Sequence, residues 1–254
     1  MDSEKEIQQM KNRFRDLAGK SFSQNLFTFS GFLGLSEQSV LHGMEDELTY
    51  AGMKLFGGDE QVERRMVRFG NPPELGYEIP FPIVCVHVKP LVSKFADDLS
   101  HRDFLGALMN LGIERSVLGD IRVGAKEAYL FCQEKIADFI CENLTKVKHT
   151  HVKCELVEEG FQVPEEEPER IFVQVPSMRA DAILAKVYNR SRESVLDLFR
   201  AQKVFVDGRL CENNSRLIRV GEKINARGYG KCYVSSEPVT TKKGKLSVEV
   251  FVYR

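Results

Sequence analysis

Tryptophan is absent from the 254 residues, and no run of about eighteen apolar residues occurs along them. The second absence excludes a membrane-spanning helix. Met1 to Gln9 is charged and polar, with no apolar stretch behind a basic start, so no secretory leader is expected. The cysteines (Cys85, Cys132, Cys141, Cys154, Cys211 and Cys232) include no Cys-x-x-Cys pair. Scattered thiols in a chain without an export signal are expected to be reduced and mainly buried, and the protein is expected in the cytoplasm. His149-x-His151 lacks the additional spaced ligands of a zinc site, and alternation along a strand explains the pair better. The phosphate-cradling Gly-x-x-x-x-Gly-Lys-Ser/Thr loop is missing too. His101-Arg102-Asp103 suggests a kinase catalytic loop, but Leu108 stands where that loop needs asparagine, and no Asp-Phe-Gly follows. No metal, cofactor or catalytic residue is expected.

What remains is an ordinary globular composition, 43% hydrophobic and 29% charged, on a chain long enough for one large domain or two to three small ones. The formal net charge of −1 conceals an asymmetry. From Pro176 to Arg254 the sequence carries sixteen Lys and Arg against eight Asp and Glu, a net of +8, which leaves −9 on everything before it. A basic quarter joined to an acidic body indicates a polyanion-binding module attached to something else. A phospholipid surface would satisfy the same charge, but the apolar-faced basic helix that lies in such a surface is missing. No membrane partner is expected.

The clearest seam is Val163-Pro164-Glu165-Glu166-Glu167-Pro168-Glu169, where prolines bracket like charges; an acidic linker is expected over 163–175. Between residues 81 and 162 the pattern is β-α-β-β-α-β. Strands are expected over Ile83–Val88, Asp120–Val123, Glu127–Cys132 and His151–Val157, and helices over Ser100–Leu111 and Ile136–Leu144. That order is the ferredoxin-like unit shared by RNA-recognition motifs, although only Tyr129 and Phe131 are aromatic on the third strand. Residues 1–80 read as mainly helical (Ser3–Ala18, Ser36–Leu48), with a short hairpin of Met53–Phe56 and Arg65–Phe69 around Gly57-Gly58. The fold class is α+β.

In the basic module, 176–254, Ile183, Leu184 and Val187 mark one helical face and Val195, Leu196, Leu198 and Phe199 a second. Asn189 and Ser191 break and restart the chain, with Ser191 as N-cap. Lys203 to Val206 follows as a strand with an Asp207-Gly208 turn, and Arg227-Gly228-Tyr229-Gly230-Lys231 is a glycine-rich basic turn. Arg179, Arg190, Arg192, Arg200 and Lys203 cluster around the helices, where guanidinium forks suit phosphate oxygens. The residues expected to contact RNA are these five with Ser191, Arg209, Arg227, Tyr229, Lys231, Lys242, Lys243 and Lys245. The alternative is solvated charge paired with Asp181, Glu193 and Asp197. In the turn, glycines supply positive φ on either reading.

The module resembles the S4 domain, the small αL RNA-binding motif of a ribosomal protein, tyrosyl-tRNA synthetases and many pseudouridine synthases. Arg179-x-Asp181, Ser191-Arg192, the Lys203-Val-x-Val206 strand and Val220-Gly221-Glu222-Lys223-Ile224 carry the resemblance. Upstream, Ser100 and Asp103 form a capping box, but His101 and Arg102 place cations in a first turn where the helix dipole disfavours them. An anion docked there, making His101 and Arg102 a second anion or RNA site, and an ion pair of Arg102 with a nearby carboxylate both account for it. The longer string, Ser-His-Arg-Asp-Phe-Leu-Gly-Ala-Leu-Met-x-Leu-Gly-Ile-x-Arg-x-x-x-Gly-Asp-Ile from Ser100, resembles the signature of the bacterial YlmH family. Leu55-Phe56-Gly57-Gly58 and Glu63-Arg64-Arg65 match it as well.

The resemblance implies an N-terminal helical region, an RRM-like middle domain and a C-terminal S4 domain. It also implies a non-enzymatic protein on the large ribosomal subunit, contacting ribosomal RNA and peptidyl-tRNA in ribosome-associated quality control; no DNA is expected as partner. The competing readings are an RNA-modifying enzyme of the pseudouridine-synthase type and an rRNA-maturation factor, each using the S4 module for delivery. Against the synthase, Arg179-x-Asp181 lies inside the binding module and no chain of catalytic-domain size remains for it.

Overall fold

The computed structural model describes residues 2–158, 163–164 and 167–253. The chain divides into two compact units, 1–165 and 166–254. Among the described residues no helix is long and apolar enough to cross a membrane.

The first unit begins with α1 (Asp2–Gln24), whose Met10, Phe14, Leu17 and Ala18 recur at helical spacing and face one core. β1 (Thr28–Phe29), α2 (Leu35–His42), α3 (Glu45–Leu48), β2 (Met53–Phe56) and β3 (Met66–Phe69) follow. The helix expected over 36–48 is two helices, because the chain turns at Gly43. The expected hairpin is a three-stranded antiparallel sheet, β1-β3-β2, whose first strand is too short to show a period-two pattern. Leu33, Leu41, Leu48, Val67 and Phe69 complete this core with α1.

After a turn of helix, α4 (Pro72–Leu75), come β4 (Ile83–Pro90), α5 (His101–Asn110), β5 (Leu118–Val123), β6 (Ala128–Gln133), α6 (Glu134–Asn143), β7 (Lys146–Val147) and β8 (Thr150–Leu156). Their sheet is antiparallel throughout, in the order β5-β6-β4-β8-β7. Alternation sends Val86, Val88, Leu130, Cys132, Val152 and Cys154 to the face covered by Phe104 and Leu108 of α5 and Ala137 and Ile140 of α6.

Backbone contacts bind the two halves of this unit. Phe32 donates its N–H to the Ser116 carbonyl at 2.7 Å, and the N–H groups of Glu63 and Arg64 both donate to the Asp120 carboxylate, at 2.6 and 2.9 Å. The Gly57-Gly58 turn fits because it lacks side chains. A Cβ on Gly57 would lie 2.4 Å from the Arg64 carbonyl oxygen and 2.3 Å from Val62; on Gly58, at φ +100°, it would lie 2.5 Å from the Phe131 ring. Gly57→Ala is therefore expected to destabilise this unit by about 3 kcal/mol, because backbone must move to admit the methyl. Thermal unfolding of the full chain checks this.

The second unit opens with a strand where a linker was expected. Residues 169–175, expected within the acidic linker, form β9 (Glu169–Val175), paired along its whole length with β15 (Leu246–Tyr253). The block of glutamates obscured a period-two strand starting behind it, with Ile171, Val173 and Val175 directed into the core. Glu165 and Glu166 of the expected linker lie outside the described residues. Between β9 and β15 the chain forms α7 (Ala180–Val187), α8 (Arg192–Arg200), β10 (Val204–Val206), β11 (Arg209–Leu210), β12 (Lys223–Ala226), β13 (Gly230–Val234) and β14 (Val239–Thr240). The sheet runs β11-β10-β12-β13-β15-β14, with β9 along the other edge of β15. Asp207 and Gly208, at φ 49° and 77°, close the two-residue β10–β11 hairpin, the geometry that an Asp-Gly pair favours. α7 and α8 cover one sheet face through Ile183, Leu184, Val187, Val195 and Phe199. The six cysteines of the chain are all unbridged and none is exposed; burial pushes the Cys132, Cys154 and Cys232 thiols up to about 12.

Candidate nucleic-acid interface

The candidate cations of the second unit fall into separate groups. Arg179 stands at the N-cap of α7 and Arg192 opens α8, and both turn onto Asp181, whose side chain has no exposed surface. Arg179 donates to it at 3.0 and 2.8 Å, Arg192 at 3.3 and 3.2 Å, and Asn214 Nδ2 at 3.0 Å. Burial alone would raise this carboxyl. The hydrogen bonds from Arg179, Asn214 and Arg192 outweigh it and hold the group at about 2. Arg200 pairs with Asp197 at 2.8 Å with both partners exposed, a contact worth little to stability. The ion-paired alternative therefore describes Arg179, Arg192 and Arg200. Their spare N–H groups still face solvent to different degrees, since the Arg179 side chain is 31% exposed and that of Arg192 60%.

A different set meets at the end of the sheet beside the α7–α8 turn. Asn189, at φ 48°, lets the chain reverse between the helices and sets Arg190 over the Tyr229 ring, 5.3 Å from its centroid. Tyr229 also lies 5.4 Å from Tyr188, a neighbour that sequence spacing does not indicate. The Arg227 N–H donates to the Lys203 carbonyl at 2.9 Å, so those two exposed cations flank the same corner, with the Arg227 guanidinium over Phe205. Arg190, Lys203, Arg227 and Tyr229, dispersed over about forty positions, form one surface. Ser191 caps α8, its Oγ accepting from the Ser194 N–H at 3.2 Å.

The remaining candidates do not join this group. Lys231 lies farther along the sheet face turned away from α7 and α8, in register with Asn225 and Phe205, with Nζ 4.5 Å from the Tyr253 ring centroid. Arg209 is exposed on β11, the edge strand. Lys242, Lys243 and Lys245 occupy the β14–β15 turn, at the far end of β15 from Arg227, ~23 Å away for seven residues of strand.

His101 and Arg102 belong to the first unit. The α5 first turn already holds an anion, Asp103, which accepts from the Ser100 N–H at 2.8 Å and Oγ at 2.7 Å and pairs with Lys148 at 2.8 Å. Lys148 and then Ser100 bring its carboxyl down to about 2. Partial desolvation, then the nearby Arg115, push the His101 imidazole below its usual value. Asp103, a residue of the chain itself, offsets the dipole cost of the two cations.

The YlmH-like string thus serves packing in this unit. Arg64 donates to the carbonyls of Leu118 (3.0 Å), Phe32 (2.9 Å) and Arg115 (3.1 Å), and Asp120 anchors the Glu63–Arg64 backbone.

Residues 79–159 match the family model described as "Putative RNA-binding domain in YlmH". That segment is YlmH-like. The chain is 29% identical over 221 residues, 85% of its length and 84% of the relative, to the "Ribosome-associated protein quality control protein P2" of Bacillus subtilis (strain 168). Among solved structures it is similar to the "Cell division protein ylmH from Streptococcus pneumoniae", at 19% identity and a TM-score of 0.49, over 60% of this chain and 92% of that one. Within the YlmH-type segment, Tyr129 and Phe131, the aromatics on the third strand, are 7% and 3% exposed, covered by Val62 and Val163.

Proposed function

We propose that this chain is a non-enzymatic RNA-binding protein that holds ribosomal RNA and tRNA on the large ribosomal subunit during rescue of stalled translation. The observation that carries the reading is the convergence of Arg190, Lys203, Arg227 and Tyr229 at one corner of the second unit, within the segment 176–254 whose net charge is +8. Cations flanking a ring with an accessible edge suit phosphate and base together. The order of two short helices, a turn and a strand supports an S4 domain over 176–254. The strand order β5-β6-β4-β8, second-third-first-fourth within β-α-β-β-α-β, supports an RRM-like domain over 81–162 behind the helical region of 1–80. Since Tyr129 and Phe131 are covered, base stacking on that sheet is disfavoured and RNA contact is assigned to the second unit. Full enclosure of Asp181 by Arg179, Arg192 and Asn214 disfavours a synthase-type nucleophile there. The relative's name, a ribosome-associated quality-control protein, agrees with this reading.

Co-sedimentation with purified large subunits over a salt series tests it. Binding is expected to fall steeply between about 50 and 200 mM salt, with a log–log slope several units negative. Arg190→Ala with Lys203→Ala and Arg227→Ala should weaken binding and make the slope shallower by about one unit for each phosphate no longer engaged. Unchanged affinity in that folded triple variant would remove this corner from the interface. Label release from uridine-tritiated ribosomal RNA should stay at background, and release above it would favour the synthase reading.

A further inference from the structure

The face of the second unit's sheet turned away from α7 and α8 carries a feature that the corner surface does not use. Alternation places Val248, Val250 and Val252 of β15 in the core and turns Glu249, Phe251 and Tyr253 outward. On β13 it turns out Lys231 and Tyr233, on β12 Lys223 and Asn225, and on β9 Arg170, Phe172 and Gln174. Register aligns these across the sheet. Lys223 lies opposite Tyr233, Tyr233 opposite Phe251 and Phe251 opposite Arg170; in the next row Asn225, Lys231 and Tyr253 are neighbours. The Tyr233 and Phe251 rings stack at 5.2 Å and 10°, with Tyr253 at 6.4 Å from Tyr233. Phe172 is 65% exposed, an unusual state for a phenylalanine on a regular strand. Cations sit on the rings as well, Arg170 5.2 Å from the Phe172 centroid and Lys231 4.5 Å from that of Tyr253. The outward carboxylate, Glu249, is taken up by Ser235 at 2.6 Å and by Arg170.

We propose that this face is a second RNA site, a stacking platform for the bases of an unpaired RNA strand, separate from the corner around Arg190. Aromatic rings stack with bases of any sequence, and lysines spread among them hold the intervening phosphates. Lysines in mid-patch argue against a protein partner, because lysine is depleted from the cores of protein–protein interfaces. The proposal rests on the RNA-binding reading above.

The test uses the full chain with two fluorescent probes, a dodecauridylate and a fully paired RNA hairpin. Tyr233→Leu with Phe251→Leu keeps apolar volume and removes the rings, and should weaken dodecauridylate binding about tenfold or more while leaving hairpin binding unchanged. Phe172→Ala, at an exposed position, should weaken it about fivefold and decides the matter if the double variant does not fold. Unchanged dodecauridylate affinity in the folded variants overturns the platform, and loss of self-association alone would reassign the face to protein docking. A wild-type chain that binds hairpin and ribosomal subunits but no dodecauridylate overturns the platform and leaves the RNA reading standing. Failure to bind any of the three would overturn both.

Discussion

Asp181→Ala is expected to destabilise the second unit by about 3 kcal/mol, among the largest effects of any single substitution there. The carboxylate is fully enclosed and accepts from Arg179, Arg192 and Asn214, so its removal strands two guanidinium groups arranged around a missing charge. Partial exposure of both arginines moderates the penalty below that of a wholly buried pair. The acid limb gives an independent measure. Asp181 has its carboxyl at about 2 when folded against 3.8 ordinarily, so its contribution is complete above the ordinary value and is lost as pH falls through 4 toward 2. A shift of that size corresponds to about 2 kcal/mol. Urea unfolding followed at pH 7 and pH 3 should show the wild type losing about half of that, ~1 kcal/mol, more than Asp181→Ala, because pH 3 still lies above the folded value; equal losses would mean that Asp181 is not the group responsible.

This network changes what charge reversal of the arginines would report. Arg179→Glu with Arg192→Glu, at two of the residues expected from the sequence to contact RNA, sets two new carboxylates against a buried third. Loss of binding in that variant would follow from unfolding. Arg190, Lys203 and Arg227 touch no buried carboxylate in the network, and for that reason they carry the binding test.

The readable part of the chain was the part governed by local periodicity. The helical faces of Ile183–Val187 and Val195–Phe199, the Asp207-Gly208 hairpin and the Ser100–Asp103 box follow from spacing within one or two turns. Long-range pairing was not readable. Thr28–Phe29 joins β3 across about forty residues, and Glu169–Val175 pairs with a strand more than seventy residues later, so neither announces itself locally. The same holds for the site. Spacing identified the basic residues as a pool, but whether a guanidinium faces solvent or a buried Asp181 depends on tertiary placement. The outward rings of β9, β13 and β15 do not stand out in the sequence, because each strand contributes only one or two of them.

Arg64→Ala should have an effect on the first unit comparable to that of Asp181→Ala on the second, again about 3 kcal/mol. Its guanidinium supplies donors to three carbonyls, those of Leu118, Phe32 and Arg115, which come from segments on both sides of the unit's internal seam. Leu118 O would keep a long hydrogen bond from Arg115 at 3.4 Å and Arg115 O the one from the Leu118 N–H, but Phe32 O would lose the guanidinium, and a buried carbonyl left without a donor costs about 1–3 kcal/mol if water does not replace it, with the packing of the side chain lost as well. Arg64→Lys should rescue little, because a single ammonium on a flexible stem cannot span acceptors that the planar fork reaches together. The discriminating measurement is amide exchange. Glu63 and Arg64 N–H donate to Asp120 through the backbone, so Arg64→Ala leaves those acceptors in place, whereas Phe32 N–H, bonded to Ser116, lies beside the carbonyls that the guanidinium no longer reaches. Faster exchange at Phe32 in Arg64→Ala, with RNA affinity of the second unit unchanged, would establish that this part of the YlmH-like signature acts through packing of the first unit. Loss of RNA affinity in a variant whose first unit exchanges as wild type would overturn that assignment and give the signature a direct part in binding.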